Sequence, residues 1–181
     1  MTAPLQQRLT YEDYCLLPED GLRHEIIGGE HVAEPAPATY HQKLSRWLQH
    51  QLFEQIELTG RGQVFNAPTD LHLSKHDVVQ PDLLVVLAER EGLVGEAKIE
   101  GPPDLVVEIL SRCSRDRDLR LKRELYRSRG VPEYWIVDPE ARVVEQLVLE
   151  PDGGYRLAGR FAERIAAATI AGVGVDLAKV W

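Results

Sequence analysis

The sequence predicts a single soluble domain of the α/β (α+β) class, a mixed β-sheet flanked by helices, with strand pairs early and late around a helix-strand-strand-helix-strand middle. Three observations predict it. Leu83-Leu84-Val85-Val86-Leu87 behind Pro81-Asp82, and Leu105-Val106-Val107-Glu108-Ile109-Leu110 behind Pro103-Asp104, are short, aliphatic and bounded by proline, as buried strands of a doubly covered sheet are. Leu44, Trp47, Leu48, Leu52 and Ile56 recur at helical spacing. Residues 133–138 make a third strand, rich in aromatic and β-branched residues at Tyr134, Trp135, Ile136 and Val137.

Taken in order, Thr10 with Asp13 resembles a capping box and starts a short helix through Tyr14 and Leu17 that stops before Pro18. Residues 22–27 read as a strand, Gly28-Gly29 as a hairpin turn, and 30–33 as the returning strand. Thr39, with Gln42 completing a second capping box, opens the helix that Gly60 ends. Residues 63–73 mix polar and apolar side chains around Pro68 and form a broken or edge strand. Residues 88–101 are a charged connection between the two aliphatic strands. Residues 116–129 form a polar helix closed by Gly130, with Leu119, Leu125 and Tyr126 on its inner face. Residues 142–149 and 155–157 form a hairpin across Pro151-Asp152-Gly153-Gly154, and Leu177 and Trp181 pack back on the body. One domain over 1–181 follows, divided into an N-terminal helix and hairpin (1–38), a core (39–138) and a C-terminal hairpin and tail (139–181).

The totals agree. A chain of 181 residues buries ~70% of its unfolded surface on folding. Hydrophobic residues at 44% and charged residues at 28% exclude disorder as the default. A net charge of −8 argues against a protein that coats nucleic acid with a basic face, though not against an enzyme whose acids sit behind a divalent cation. Cys15 and Cys113 form no C-x-x-C, so neither a disulfide framework nor a zinc site is expected. No signal peptide or membrane span is legible, and the cytoplasm is the default location.

Glu108 is the odd residue, an acid in an aliphatic strand, where an unpaired carboxylate costs at least ~2 kcal/mol. It lies at a sheet edge, is paired, or holds a metal. Asp82 stands at the mouth of the preceding aliphatic strand, and if the two strands are neighbours the carboxylates converge. Such a pair suits Mg²⁺ on a phosphate substrate, which takes one or two carboxylates and fills its remaining positions with water and substrate. Asp118, Lys122 and Tyr126 fall at i, i+4 and i+8 along one helix face, so Lys122 can supply a positive group. Each residue alone also has a structural explanation. Asp118 and Lys122 can be an exposed ion pair, Asp82 a strand cap, and Glu108 a buried partner of Arg115 or Arg123. The functional reading comes from the three together.

Gln80-Pro81-Asp82, the run from Pro103 to Ser111, then Asp118, Lys122 and Tyr126, and finally Gly130-Val131-Pro132-Glu133-Tyr134-Trp135-Ile136-Val137-Asp138-Pro139 resemble the bacterial family of inferred restriction endonucleases called Uma-two, of the PD-(D/E)XK nuclease superfamily. The segment from Arg23 to Glu30 and His41-Gln42 also fit, and the likeness runs from about Leu9 to the C-terminus. The resemblance implies a restriction-endonuclease-like core, a mixed sheet with helices on both faces and extra N-terminal and C-terminal β-hairpins. It implies Asp82 and Glu108 as metal ligands for Mg²⁺ or Mn²⁺ and no other cofactor. The superfamily lysine stands two residues after the acid, where this chain has Leu110, so the resemblance gives that role to Lys122 on the following helix. Glu25, His41, Gln80 and Tyr126 are auxiliary candidates.

The function implied is endonucleolytic hydrolysis of DNA phosphodiesters, with Lys122 positioning water or offsetting charge. The alternative is a catalytically silent nuclease-fold binding or regulatory protein acting as a homodimer, which the net charge favours. A dimer that cuts both strands is an analogy only. A two-carboxylate glycosidase explains neither Lys122 nor the long family-like run. His72 and His76 read as surface histidines, Cys113 as a small filler, and the tryptophans as core or interface residues. No phosphate loop or G-x-S-x-G elbow is present.

Overall fold

The structure is a computed structural model that describes residues 8–111, 115 and 118–181, Asp118 by its backbone alone. The Thr10–Asp13 capping box forms as expected, with both reciprocal bonds, and starts α1 (Tyr11–Tyr14). β1 (Arg23–Ile27) and β2 (Glu30–Glu34) pair antiparallel. Gly28 and Gly29 between them have φ of 62° and 86°, which side chains tolerate poorly and a tight hairpin turn requires.

α2 (Thr39–Ile56) buries Leu44, Leu48, Leu52 and Ile56, one stripe at helical spacing. Its start corrects the capping expectation. Ala38 is the N-cap and makes no side-chain bond. Thr39 is already helical, so its hydroxyl is past the position from which a capping box is made.

β3 (Gly62–Asn66), β6 (Leu83–Leu87), β8 (Leu105–Ile109), β9 (Glu133–Asp138), β10 (Val143–Leu149) and β11 (Tyr155–Phe161) form a six-stranded mixed sheet in the order β11-β10-β9-β8-β6-β3. Among the described residues, β8 and β9 in it run parallel and its other pairs antiparallel. That pairing requires a crossover, and a π-helical turn (Asp118–Lys122) running into α3 (Arg123–Ser128) lies within it. β4 (Leu71–Ser74), β5 (Asp77–Val79) and β7 (Ile99–Glu100) join the N-terminal hairpin in a second sheet, ordered β2-β1-β5-β4-β7. β12 (Arg164–Ala166) and β13 (Gly174–Asp176) pair by themselves.

Alternation along the buried strands divides the core in two. Leu83, Val85, Leu105, Val107, Ile109, Trp135 and Val137 pack with α2 and with Ile165, Val173, Val175 and Leu177 of the C-terminal segment. Leu84, Val86, Val106, Leu110, Tyr134 and Ile136 pack with Leu71, Val79 and Ile99 of the second sheet and with Leu125 and Tyr126 of α3. Helices therefore lie on both faces as expected, α2 on one and α3 on the other, where the second sheet adds to the cover. The C-terminal hairpin forms as expected and extends the central sheet, for β10 pairs with β9. The segment 63–73 is indeed broken, but its halves, β3 and β4, belong to different sheets. Among the described residues no helix is long and apolar enough to cross a membrane.

Candidate active site

The antiparallel register of β6 and β8 sets the site. Leu83 faces Val107, so the next pair outward is Asp82 and Glu108. Both take the alternation of Leu84 and Val106 and lie on the side of the second sheet and α3. The two acids singled out from sequence are thus cross-strand neighbours, and both are buried.

Asp82 is held by donors from three directions. Its Oδ2 accepts from the Ile109 amide at 2.8 Å and from His41 Nε2 at 3.1 Å, and its Oδ1 accepts from Arg23 Nη1 at 3.0 Å. Burial alone would raise its pKa, but the His41 bond, the Arg23 charge and the Ile109 amide lower it to about 2. His41 Nε2 also lies 3.1 Å from the Ile109 carbonyl oxygen. Both neighbours of that nitrogen are acceptors, so Nε2 carries the proton. His41 Nδ1 is buried with no hydrogen-bond partner.

Glu108 Oε1 accepts from Lys122 Nζ at 3.0 Å and from the Tyr126 hydroxyl at 2.7 Å. Lys122 is fully buried and also donates to Glu25 Oε1 at 2.9 Å. The π-helical turn ends at Lys122 and α3 follows it, so Lys122 and Tyr126, four apart, reach the same carboxylate. Burial first, then the charges of Glu108 and Glu25, push the Tyr126 phenol well above its ordinary pKa and keep it a donor.

Glu25 comes from β1, in the other sheet. Its Oε1 also accepts from the Gln80 amide at 2.8 Å, while its Oε2 is buried and unpartnered. Of the auxiliary candidates, Glu25, His41 and Tyr126 bring side chains to this cluster. Gln80 brings only its backbone, because its side chain turns away to Tyr14 and Asp70.

Sequence reasoning passed over Arg23. It bridges Asp82 and, at 3.2 Å, Glu34. Burial opposes its charge, but Asp82, Glu108 and Glu25 outweigh that and push its pKa up. The legible signal was its spacing of two from Glu25 on a strand, which puts both on one face. Arg23 and His41, with Ala36 and Pro37, line both of two adjoining clefts, of about 470 Å³ and 280 Å³. The first is walled mainly by Pro35, Ala38, Ile109, Leu110 and Pro139, and the second reaches Asp82.

The structural explanations weighed for these residues fare differently. Lys122 is too deeply buried for a surface ion pair with Asp118, whose side chain lies outside the described residues. Arg123 is exposed, and Arg115 reaches Asp138 at 2.7 Å. His72 and His76 are half-buried rather than surface residues, and Cys113 lies outside the described residues.

The donor set suits a hard divalent cation: oxygen ligands from neighbouring strands, and in Glu25 Oε2 a buried carboxylate oxygen with nothing bound to it. Among the described residues no three His, Cys, Asp or Glu side chains converge as a ready-made cage. Lys122 sits between Glu25 and Glu108, and Arg23 sits on Asp82, so a cation would replace protein donors there.

Comparison with known proteins gives the same frame. The chain is similar to a crystal structure described as "a putative nuclease belonging to DUF820" from Anabaena variabilis, with TM-score 0.75 and 18% identity over 95% of this chain and 97% of that one. At that identity the likeness establishes the fold, which is restriction-endonuclease-like. No curated protein matches. The model of the Uma2 family, described as "Putative restriction endonuclease", matches residues 11–178, and the chain belongs to that family.

Proposed function

We propose that the chain is a metal-dependent endonuclease that hydrolyses phosphodiester bonds in DNA, with Asp82, Glu108 and Lys122 as its working residues. The observation that carries this reading is the opposition of Asp82 and Glu108 on adjacent strands with the Lys122 ammonium 3.0 Å from Glu108. Mg²⁺ or Mn²⁺ held by Asp82 and Glu108 would supply Lewis-acid charge at the scissile phosphate and lower the pKa of the attacking water. Lys122 lies beside Glu108, where its ammonium would offset charge developing on the phosphate. Tyr126 fixes Glu108 through its hydroxyl, and His41 and the Ile109 amide fix Asp82. Arg23, on the cleft wall, is placed to meet a phosphodiester entering from solvent.

A catalytically silent nuclease-fold protein acting as a homodimer is the competing reading. It draws on the net charge of −8 and on Arg23 occupying Asp82. Cleavage of supercoiled plasmid with Mg²⁺ or Mn²⁺ decides between them, comparing wild type with Asp82→Ala, Glu108→Ala and Lys122→Ala. The nuclease reading expects nicking or linearisation by wild type and its loss in all three variants, each checked for folding by circular dichroism. Inactive wild type, or variants that cut equally well, would overturn it.

A further inference from the structure

Pairing within the cluster leaves the Glu25 carboxylate without an explanation. The side chain is fully buried, its Oε1 takes the Lys122 ammonium and the Gln80 amide, and its Oε2 has no partner. If Glu25 served only to accept those two bonds, an uncharged glutamine would do so equally well. Glu108 already gives Lys122 a carboxylate at 3.0 Å. A second buried negative charge with one oxygen that no protein group bonds is costly unless a cation meets it.

The placement fits. Glu25 stands on β1 two residues from Arg23, on the face from which Arg23 reaches Asp82. It shares a single ammonium with Glu108. Glu25 therefore presents carboxylate oxygen to the Asp82–Glu108 cluster from the opposite layer of the fold. We infer that Glu25 is a third cation ligand of this site, and that in the metal-free protein the Lys122 ammonium takes the cation's place between Glu25 and Glu108. The inference rests on the reading of Asp82 and Glu108 as a divalent-cation site, and it adds a ligand from outside the sheet that carries them.

Calorimetric titration with Mn²⁺ alone tests it, on the full chain as wild type, Glu25→Gln and Asp82→Asn, with melting curves taken without metal. Glu25→Gln keeps an oxygen for Lys122 and Gln80, so it is expected to melt no lower than wild type while binding Mn²⁺ about tenfold or more weakly. Should that variant not fold, Glu25→Asp keeps the charge, draws the oxygens back by one methylene and is expected to weaken Mn²⁺ in the same direction. Wild-type affinity in the Glu25 variant with binding lost in Asp82→Asn overturns the role of Glu25 and leaves the cation site standing. No Mn²⁺ binding by wild type overturns both.

Discussion

Removing the Lys122 ammonium tests whether the buried cluster is ionised as drawn. Lys122 is fully buried with Glu25 at 2.9 Å and Glu108 at 3.0 Å, and Lys122→Met keeps most of its volume while deleting the charge. Two carboxylates would then share a buried space without that cation. Breaking a buried ion pair by removing one partner costs about 3–5 kcal/mol. For a chain of this size that is a fall in melting temperature of roughly 6–20 °C. Urea unfolding followed by tryptophan fluorescence measures it, since Trp135 is buried in the core. An internal control separates charge from packing. Adding Glu25→Gln to Lys122→Met should recover part of the loss, because one stranded charge is gone and the two sites are in contact. A deficit under about 1 kcal/mol that the second substitution does not reduce would refute the reasoning, and with it the assignment of a buried ammonium to this site.

Asp82 has its carboxyl lowered to about 2 in the folded state, so its contribution is fully present above its unfolded value and is lost as pH falls through the folded one. Wild type should therefore lose roughly 2 kcal/mol more than Asp82→Asn between about pH 4 and pH 2, read as the gap between their acid-unfolding curves; parallel curves would contradict the assigned shift. Glu133 accepts from Trp135 Nε1 and Gln146 Nε2 on one oxygen, and from the Ala168 and Thr169 amides and the Thr169 hydroxyl on the other. Glu133→Ala should cost about 3 kcal/mol or more and speed amide exchange first at Ala168 and Thr169, whereas uniform exchange would show that Glu133 does not tie down the C-terminal segment.

The strands nearest the site were the most legible parts of the fold. A proline-bounded aliphatic run has few alternatives to a buried strand, and β6, β8 and β9 appear where Leu83, Leu105 and Glu133 begin them. Glycine at 28 and 29 announced the hairpin because few other residues take both positive φ angles. What pattern cannot carry is partnership. Nothing in two aliphatic runs says that they are adjacent or in which register, and the opposition of Asp82 and Glu108 depends on both. β5 went unread because a three-residue strand has too little length for alternation to register. Arg23 escaped for a related reason, since its partner Asp82 is 59 residues away and local sequence shows a charged residue in an ordinary half-buried strand. Glu133 misleads in the other direction. It sits in the family-like run beside the candidate site, yet three of its five donors come from Ala168 and Thr169 of the C-terminal segment and the other two from Trp135 and Gln146.

The net charge of −8 conflicts with a polyanionic substrate only if charge is averaged over the molecule. Locally, Arg23 is spent on Asp82 and Glu34, and Lys122 on Glu25 and Glu108. On the proposed reading, a divalent cation on Asp82 and Glu108 takes over part of that neutralisation and returns Arg23, which lines both clefts, to face a phosphate. Cation and DNA should then bind cooperatively, each favouring the arrangement the other needs. Arg23→Gln isolates this coupling. With Mn²⁺ present, fluorescence anisotropy of a labelled oligonucleotide should show weaker binding by the variant, with the slope of log K against log salt reduced by about one phosphate contact. Without Mn²⁺ the two proteins should bind alike, because Arg23 in the wild type is then held by its own carboxylates. A loss of affinity equal with and without Mn²⁺ would mean that Arg23 meets DNA independently of the acidic cluster, and the exchange of partners would be wrong.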